Sequence, residues 1–290
     1  KLDVMRIAIL GGTGQIGVVI SREMQLKFPE AEILACSRSG KGVNGFQFNV
    51  YQKDWTVLGK LDVLVNAVGI IEETRENTFQ KIHVGIVNKM VDERESLGNP
   101  KIIHVSVLGS NKDSPSKYAA TKGIADNILK TQENWVIIRP SFVCTPGTTI
   151  VQKVKMLHKI SKISFGLLPI PTHFLTAKFQ PVMGEDVAHI CIESIRQNLA
   201  KKVIYATGPE LYTLEDWLRT IGNGKIRLVK IPKWLIDRPL RLLIKAIPQI
   251  MNTDQYLLLG EDNTHDNVEM INILGRLPLD TKQFWEDELV

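Results

Sequence analysis

Residues 6–17, "RIAILGGTGQIG", decide the fold. Arg6–Leu10 is a short apolar run of the kind that fills a buried strand. Gly11, Gly14 and Gly17 follow at three-residue spacing, and an amphipathic stretch opens over them near 15–27. Glycines in that arrangement permit a tight turn, let the backbone approach a pyrophosphate, and let the helix pack close to the strand. The helix start then directs free N–H groups and the positive end of its dipole at the phosphates. Strand, glycine turn and helix in this order predict a nucleotide-binding unit.

Downstream of this unit the same rhythm repeats. "EILACS" (32–37), "DVLVNAVG" (62–69), "KIIHVS" (101–106) and "WVIIRP" (135–140) read as buried strands, with helical patterns near 53–59, 76–97 and 115–131. Such alternation predicts an α/β fold with a doubly wound parallel sheet of Rossmann type. After Pro140 the rhythm breaks, and Pro146, Gly147, Pro169, Pro171 and Pro181 punctuate an irregular region before "KVIYATG" (202–208). The expected layout is a nucleotide domain over 1–147, completed by about 181–207, with a smaller C-terminal substrate lobe from 148–180 and 208–290.

Composition excludes several classes. At 290 residues, 44% apolar and 23% charged, the chain is an ordinary globular protein. Cys36, Cys144 and Cys191 are far apart and form no CxxC, so neither a disulfide framework nor a metal site is expected. The opening "KLDVMRIAIL" does not read as a signal peptide, because a strand begins almost at once; a transit peptide on a longer precursor stays open. The net charge of +5 is uneven. Residues 225–250 hold seven Lys or Arg against Asp237, and 251–290 hold nine acids against Arg276 and Lys282. In "KWLIDRPLRLLIKAIPQIM" the cations alternate with Trp, Leu and Ile, which suits a membrane headgroup region or an acidic partner; the competing reading is a segment that covers the lobe. No nucleic-acid motif accompanies it.

Two further stretches carry chemistry. After the second strand an NAD-preferring site places an acid on the ribose hydroxyls, but here "ACSRSGKG" offers Ser37, Arg38 and Ser39. A guanidinium beside hydroxyls suits a 2′-phosphate, so NADP(H) is expected over NAD(H); the alternative is a solvated arginine. "HVSVLGSNKDSPSKYAATK" (104–122) sets Tyr118 four residues before Lys122, behind a strand ending in Ser106. A tyrosine beside an ammonium is the layout of a proton-transfer site.

Together the glycine turn, "NAVG" (66–69), Tyr118-x-x-x-Lys122 and "RPS" (139–141) resemble the extended, atypical branch of the short-chain dehydrogenase/reductase superfamily. "QPVMGEDVA" (180–188), "ATGPELYTL" (206–214) and "MNTDQYLLLGEDN" (251–263) narrow the resemblance to the NADPH-binding accessory subunits of respiratory complex I and their bacterial relatives. The resemblance implies that Gly11, Thr13, Gly14, Gln15, Ile16 and Gly17 surround the pyrophosphate, and that Ser37 and Arg38 meet the 2′-phosphate. It further implies Asn49 and Val50 at the adenine, in place of the usual Asp, and Ala67, Val68 and Gly69 along the ribose. Pro140 and Ser141 would lie at the nicotinamide, with Tyr118 and Lys122 flanking its ribose.

The superfamily's third catalytic hydroxyl belongs at position 107, which is valine. Ser106 is its neighbour, and successive strand residues face opposite ways, so it is a weak substitute; Ser110 and Ser114 are others. His83 and His104 read as structural, Glu72 and Glu73 as dipole complements of a helix start, and Asp186 as a helix cap. Two classes stay open. One is a bound-cofactor module linked to a respiratory complex or quinone system; the other is an active reductase, epimerase or dehydratase on a small carbonyl or nucleotide sugar. The expected place is the cytoplasm, peripheral to the inner membrane, or the mitochondrial matrix side in a eukaryote.

Overall fold

The computed structural model describes residues 4–163, 165, 167–221, 227–235 and 253–289. They fall into two compact units. One comprises the chain to Pro140, Gly184–Ala206 and Val268–Leu277; the other comprises Ser141–Met183, Thr207–Asn267 and the chain from Pro278.

The first unit is built on a seven-stranded parallel sheet, as the repeated apolar runs require. In chain order its elements are β1 (Arg6–Leu10), α1 (Gln15–Lys27), β2 (Glu32–Ser37), β3 (Gly45–Gln47), β4 (Val63–Asn66), α2 (Ile86–Asp92), β5 (Lys101–Val105), α3 (Lys117–Lys130) and β6 (Trp135–Pro140). The strand Lys202–Ala206 adds at the edge, and the order across the sheet is that strand, β6, β5, β4, β1, β2, β3. The order reverses between β1 and β4, and the C-terminal edge at such a switch point is where ligands bind in open α/β sheets. Strand residues alternate between faces, so Ala8, Leu10, Leu64, Ile102 and Ile137 share one buried cluster with Phe48, Trp55, Met90 and Leu129.

Two helical expectations change in detail. Near 53–59 only a 3-10 turn forms, Thr56–Leu58. Asp54 Oδ1 takes both the N–H and the hydroxyl of Thr56, and Gly59 at φ +66° stops the turn. Within 76–97 the helix starts as a π-helical stretch, Gln80–Gly85, before α2. Glu73 Oε1 accepts from the N–H of Phe79 at 2.8 Å, so this glutamate does serve a helix start.

The segment Val268–Leu277 packs with the sheet unit although it lies within 208–290 of the chain. Lys202 meets Glu269 at 3.0 Å, and Arg276 reaches Asp186 at 2.7 Å. Asp186 lies in the first turn of the helix Gly184–Arg196, and its fully buried carboxylate holds the Arg276 guanidinium. All three cysteines are buried and free, and burial pushes their thiols up, as expected of small core residues.

Among its described residues the second unit holds three two-stranded pieces and an aromatic core of Phe174, Phe179, Trp217, Tyr256 and Trp285. Trp217 and Trp285 meet edge to face, their ring centroids 5.3 Å apart. The strand Arg227–Ile231 pairs with Leu167–Pro171. Beyond it Trp234 is 80% exposed and Leu235 55%. The remainder of the basic stretch, with Leu242, Leu243, Ile247, Pro239 and Pro248, lies outside the described residues. Among those described, no helix is long and apolar enough to cross a membrane.

Candidate functional site

At the end of β1 the chain turns sharply under β2. Gly11 and Gly12 both donate to the carbonyl of Cys36, at 3.1 and 3.0 Å, and Gly14 donates to Gly11 at 2.8 Å. Gly11 has φ +78°, a left-handed conformation that glycine adopts without strain. A Cβ on Gly17 would stand 2.1 Å from the Gly11 carbonyl oxygen, so only glycine lets α1 begin this close to the turn. No acid occupies the first turn of α1, and the positive end of its dipole is left uncompensated. Thr13, Gly14 and Gln15 are exposed there, while Ile16 is half-buried.

Arg38 is exposed beyond β2; burial raises the Tyr51 phenol, and the Arg38 charge opposes part of that rise. Ser37 Oγ accepts from the N–H of Gly40 at 3.0 Å, which shapes the turn that presents Arg38. Asn49 Oδ1 accepts from Tyr51 N at 3.1 Å, and Val50 packs partly against the core cluster.

The loop after β4 carries Ala67, Val68 and Gly69. Val68 N–H donates to Asn66 Oδ1 at 3.0 Å, and a side chain on Gly69 would begin 3.5 Å from Lys122 Nζ. Lys122 is buried and donates to the Val105 carbonyl at 3.0 Å. Helix α3, which brings it there, is capped by Ser116 Oγ accepting from Ala119 N. Burial pulls the Lys122 ammonium down to about 8, against a raising contribution from Asp126. Burial also pushes the Tyr118 phenol up to about 12. Tyr118 by itself is thus a weaker acid than a free tyrosine, and acid–base work would need added positive charge beside it.

The hydroxyl substitutes fare unequally. Ser110 is spent: its Oγ donates to Asp126 Oδ2 at 2.7 Å, so it does not take the place that Val107 leaves vacant. Ser114 Oγ accepts from Ser116 N at 3.2 Å. Ser106 is 5% exposed, its Oγ without a hydrogen-bond partner among the described residues. Pro140 closes β6 and accepts from Leu108 N at 2.8 Å. Ser141 belongs to the second unit, where its Oγ donates to Asn263 Oδ1 at 2.5 Å.

Sequence reasoning gave Asp126 and Arg139 no role at this centre and read His83 and His104 as structural. His83 has its ring 5.4 Å from that of Tyr118, edge to face. Its Nδ1 meets Thr121 Oγ1 at 2.9 Å and its Nε2 the Ile70 carbonyl at 3.1 Å, which ties α3 to the loop after β4. Burial, with Lys122 nearby, lowers His83 to about 2, so the ring is neutral. His104, Asp126 and Arg139 form a second buried group. The available signals were Asp126 four residues after Lys122, and polar residues inside the two strand runs.

No protein-family profile matches the chain. Among curated proteins it is 27% identical over 172 residues to "NADH dehydrogenase [ubiquinone] 1 alpha subcomplex subunit 9, mitochondrial" of Dictyostelium discoideum, an alignment covering 59% of this chain and 46% of that protein. It is 28% identical over 240 residues to the protein of the same name from Arabidopsis thaliana, covering 77% and 58%. The chain thus spans about half the length of the curated relatives it matches. Among solved structures it superimposes on a nucleoside-diphosphate-sugar epimerase from Staphylococcus aureus with TM-score 0.73 at 15% identity, over 97% of this chain and 100% of that one. A UDP-glucuronic acid 4-epimerase from Bacillus cereus, in complex with UDP-glucuronic acid and NAD, gives 0.70 at 14% identity, over 98% of each chain. In sequence the chain resembles the alpha subcomplex subunit 9 proteins, and its Rossmann-type fold is that of short-chain-dehydrogenase-like epimerases and dehydratases.

Proposed function

We propose that the chain binds a nicotinamide dinucleotide, NADP(H) in preference to NAD(H), and keeps it as a resident structural or redox group linked to a respiratory or quinone system. The observation that carries this reading is an intact glycine turn at the end of β1 together with a Tyr118–Lys122 pair on α3 that has valine at position 107. The residues fit such a group. Gly11, Gly14 and Gly17 leave room for a pyrophosphate at the uncompensated start of α1, with Thr13, Gln15 and Ile16 around it. Ser37 and Arg38 suit the 2′-phosphate, Asn49 and Val50 the adenine, Ala67–Gly69 the ribose, and Lys122 the hydroxyls of the nicotinamide ribose. When bound, the dinucleotide supplies hydride chemistry. The protein's own part is to hold it and to keep a phenol and an ammonium beside it. The matched proteins' names support the respiratory link, and the NAD named with one solved neighbour supports the ligand class. A working reductase, epimerase or dehydratase is the second reading, favoured by the retained Tyr118 and Lys122.

Calorimetry with both dinucleotides tests the ligand. NADPH is expected to bind at least ~10-fold tighter than NADH, about 1.4 kcal/mol, and Arg38→Ala to erase the difference. Equal affinities in the wild type would remove the NADP(H) assignment. Turnover separates the two functional readings: NADPH oxidation with small carbonyls is expected to be very slow. Fast turnover abolished by Tyr118→Phe would establish the enzyme instead.

Peripheral docking on an anionic membrane through 225–250 belongs to the same proposal, supported by the exposed Trp234 and Leu235 beside Lys233. Cations near such a surface contribute about 1 kcal/mol each, so adsorption should be weak and salt-sensitive. Co-sedimentation with anionic vesicles at low salt, lost at high salt, is the expected result. Absence of binding with unchanged Trp234 fluorescence would leave the segment as a cover of its own lobe.

A further inference from the structure

Asn66 and His104 are partners in register on β4 and β5. Asn66 Oδ1 is taken by the Val68 N–H at 3.0 Å, so its amide nitrogen faces His104 Nδ1, at 3.1 Å, and donates to it. Burial keeps His104 neutral, and its proton is then fixed on Nε2. That nitrogen lies 3.8 Å from Asp126 Oδ1, and neither atom has a hydrogen-bond partner among the described residues. The other Asp126 oxygen accepts from Ser110 Oγ at 2.7 Å and from Arg139 Nη2 and Nε at 2.8 and 3.0 Å. Tyr118, Lys122 and Asp126 are four residues apart along α3 and therefore share one face. Buried polar groups thus line up from the loop after β4, through two strand ends, to the carboxylate four residues after Lys122, with a gap of 3.8 Å between His104 Nε2 and Asp126 Oδ1.

We propose that Asp126 is a positioning residue for the dinucleotide: it holds Lys122 in its charged form and, through His104 and Asn66, holds the loop that Lys122 faces. This rests on the dinucleotide reading above. Every charged or titratable group around Lys122 bears on the point. Tyr118 and Asp126 lie on its own helix, His83 on the π-helical stretch, and His104 on β5, while Arg139 on β6 partners Asp126. Both histidines are neutral, and of these groups Asp126 alone is a carboxylic acid. Without it, burial would discharge the ammonium nearer to neutrality.

The test is lysine NMR with 13C at Cε on the cofactor-free full chain, Lys122 being assigned by its loss in Lys122→Met. The wild-type midpoint is expected near 8. In Asp126→Asn it should fall by about one pH unit. Where that variant fails to fold because Arg139 loses its partner, Asp126→Asn with Arg139→Gln removes both charges and should show a smaller fall in the same direction, because loss of the Arg139 cation partly offsets loss of the carboxylate. Asn66→Ala, which breaks this line of polar groups without changing charge, should leave the midpoint in place and weaken NADPH binding about tenfold in calorimetry. A midpoint unmoved in either Asp126 variant, or full affinity in Asn66→Ala, overturns the proposal. A wild type that binds neither NADPH nor NADH, while the Asp126 variants still move the midpoint, defeats the dinucleotide reading and leaves Asp126 as a charge partner of Lys122 alone.

Discussion

Gly17→Val is expected to abolish dinucleotide binding and to lower stability by about 3 kcal/mol. The added Cβ would fall 2.1 Å from the oxygen and 2.9 Å from the carbon of the Gly11 carbonyl, and 3.1 Å from Gly12 Cα. All three are backbone atoms in a turn anchored to Cys36, so no side chain can swing away to make room. Helix α1 would have to move outward, and its buried face of Val19, Ile20 and Met24 would lose packing with it. Val18, half-exposed on the same helix, is the control: Val18→Ala should leave both quantities nearly unchanged. Denaturant unfolding and calorimetry with NADPH read the two effects. Wild-type behaviour in Gly17→Val would mean that the turn is not the close approach the geometry requires.

That turn was legible because its signal is local: a strand, three glycines and a helix within twelve residues of sequence. The parallel sheet was legible for a related reason, since each apolar run it was read from is long enough to mark a strand buried on both faces. The short lobe strands were not, because a two-residue strand such as Lys178–Phe179 carries no period. The polar side of the site was the least legible part. Asn66, His83, His104 and Arg139 come from four separate elements, and each sits among apolar neighbours in the sequence. Only the register of β4 with β5 sets Asn66 beside His104, and only the π-helical stretch carries His83 to Tyr118. Asp186 shows the reach of such contacts: its place at a helix start is local, while the guanidinium it meets lies ninety residues along the chain.

The missing hydroxyl at Val107 acquires its meaning from the same polar groups. The nearby serines are committed or set aside: Ser110 serves Asp126, Ser114 serves the turn before α3, and Ser106 is enclosed. Beside Tyr118 stands instead the neutral His83 imidazole, which ties the loop after β4 to α3, while His104 on β5 meets Asn66 on β4. On the reading proposed above, these groups stiffen the cradle of the dinucleotide, and a site organised to keep its ligand in place has less need of a group that orients a reacting oxygen.

The chain should lose stability steeply below pH 6, with His83 as one cause. In the fold burial and the charge of Lys122 lower its imidazole to about 2, against an ordinary value of 6.5. Between those values the unfolded chain binds a proton that the folded chain refuses. Stability is therefore whole above about 6.5 and falls as pH drops, by about 1.4 kcal/mol per unit for this one group. By pH 3 the loss attributable to His83 is on the order of 5 kcal/mol, comparable to the whole stability of many domains. His104, fully enclosed and shifted the same way, adds to it. His83→Gln replaces the ring with an amide that can accept from Thr121 Oγ1 and donate to the Ile70 carbonyl, and which does not titrate. The variant should be less stable than wild type at pH 7, where the ring contacts with Tyr118 and Phe79 are lost, and yet resist acid better. Urea unfolding between pH 4 and 6 measures the slope of stability against pH. The wild-type slope should exceed that of His83→Gln by about 1.4 kcal/mol per unit, the signature of one proton; equal slopes would show that His83 takes up its proton in the folded state.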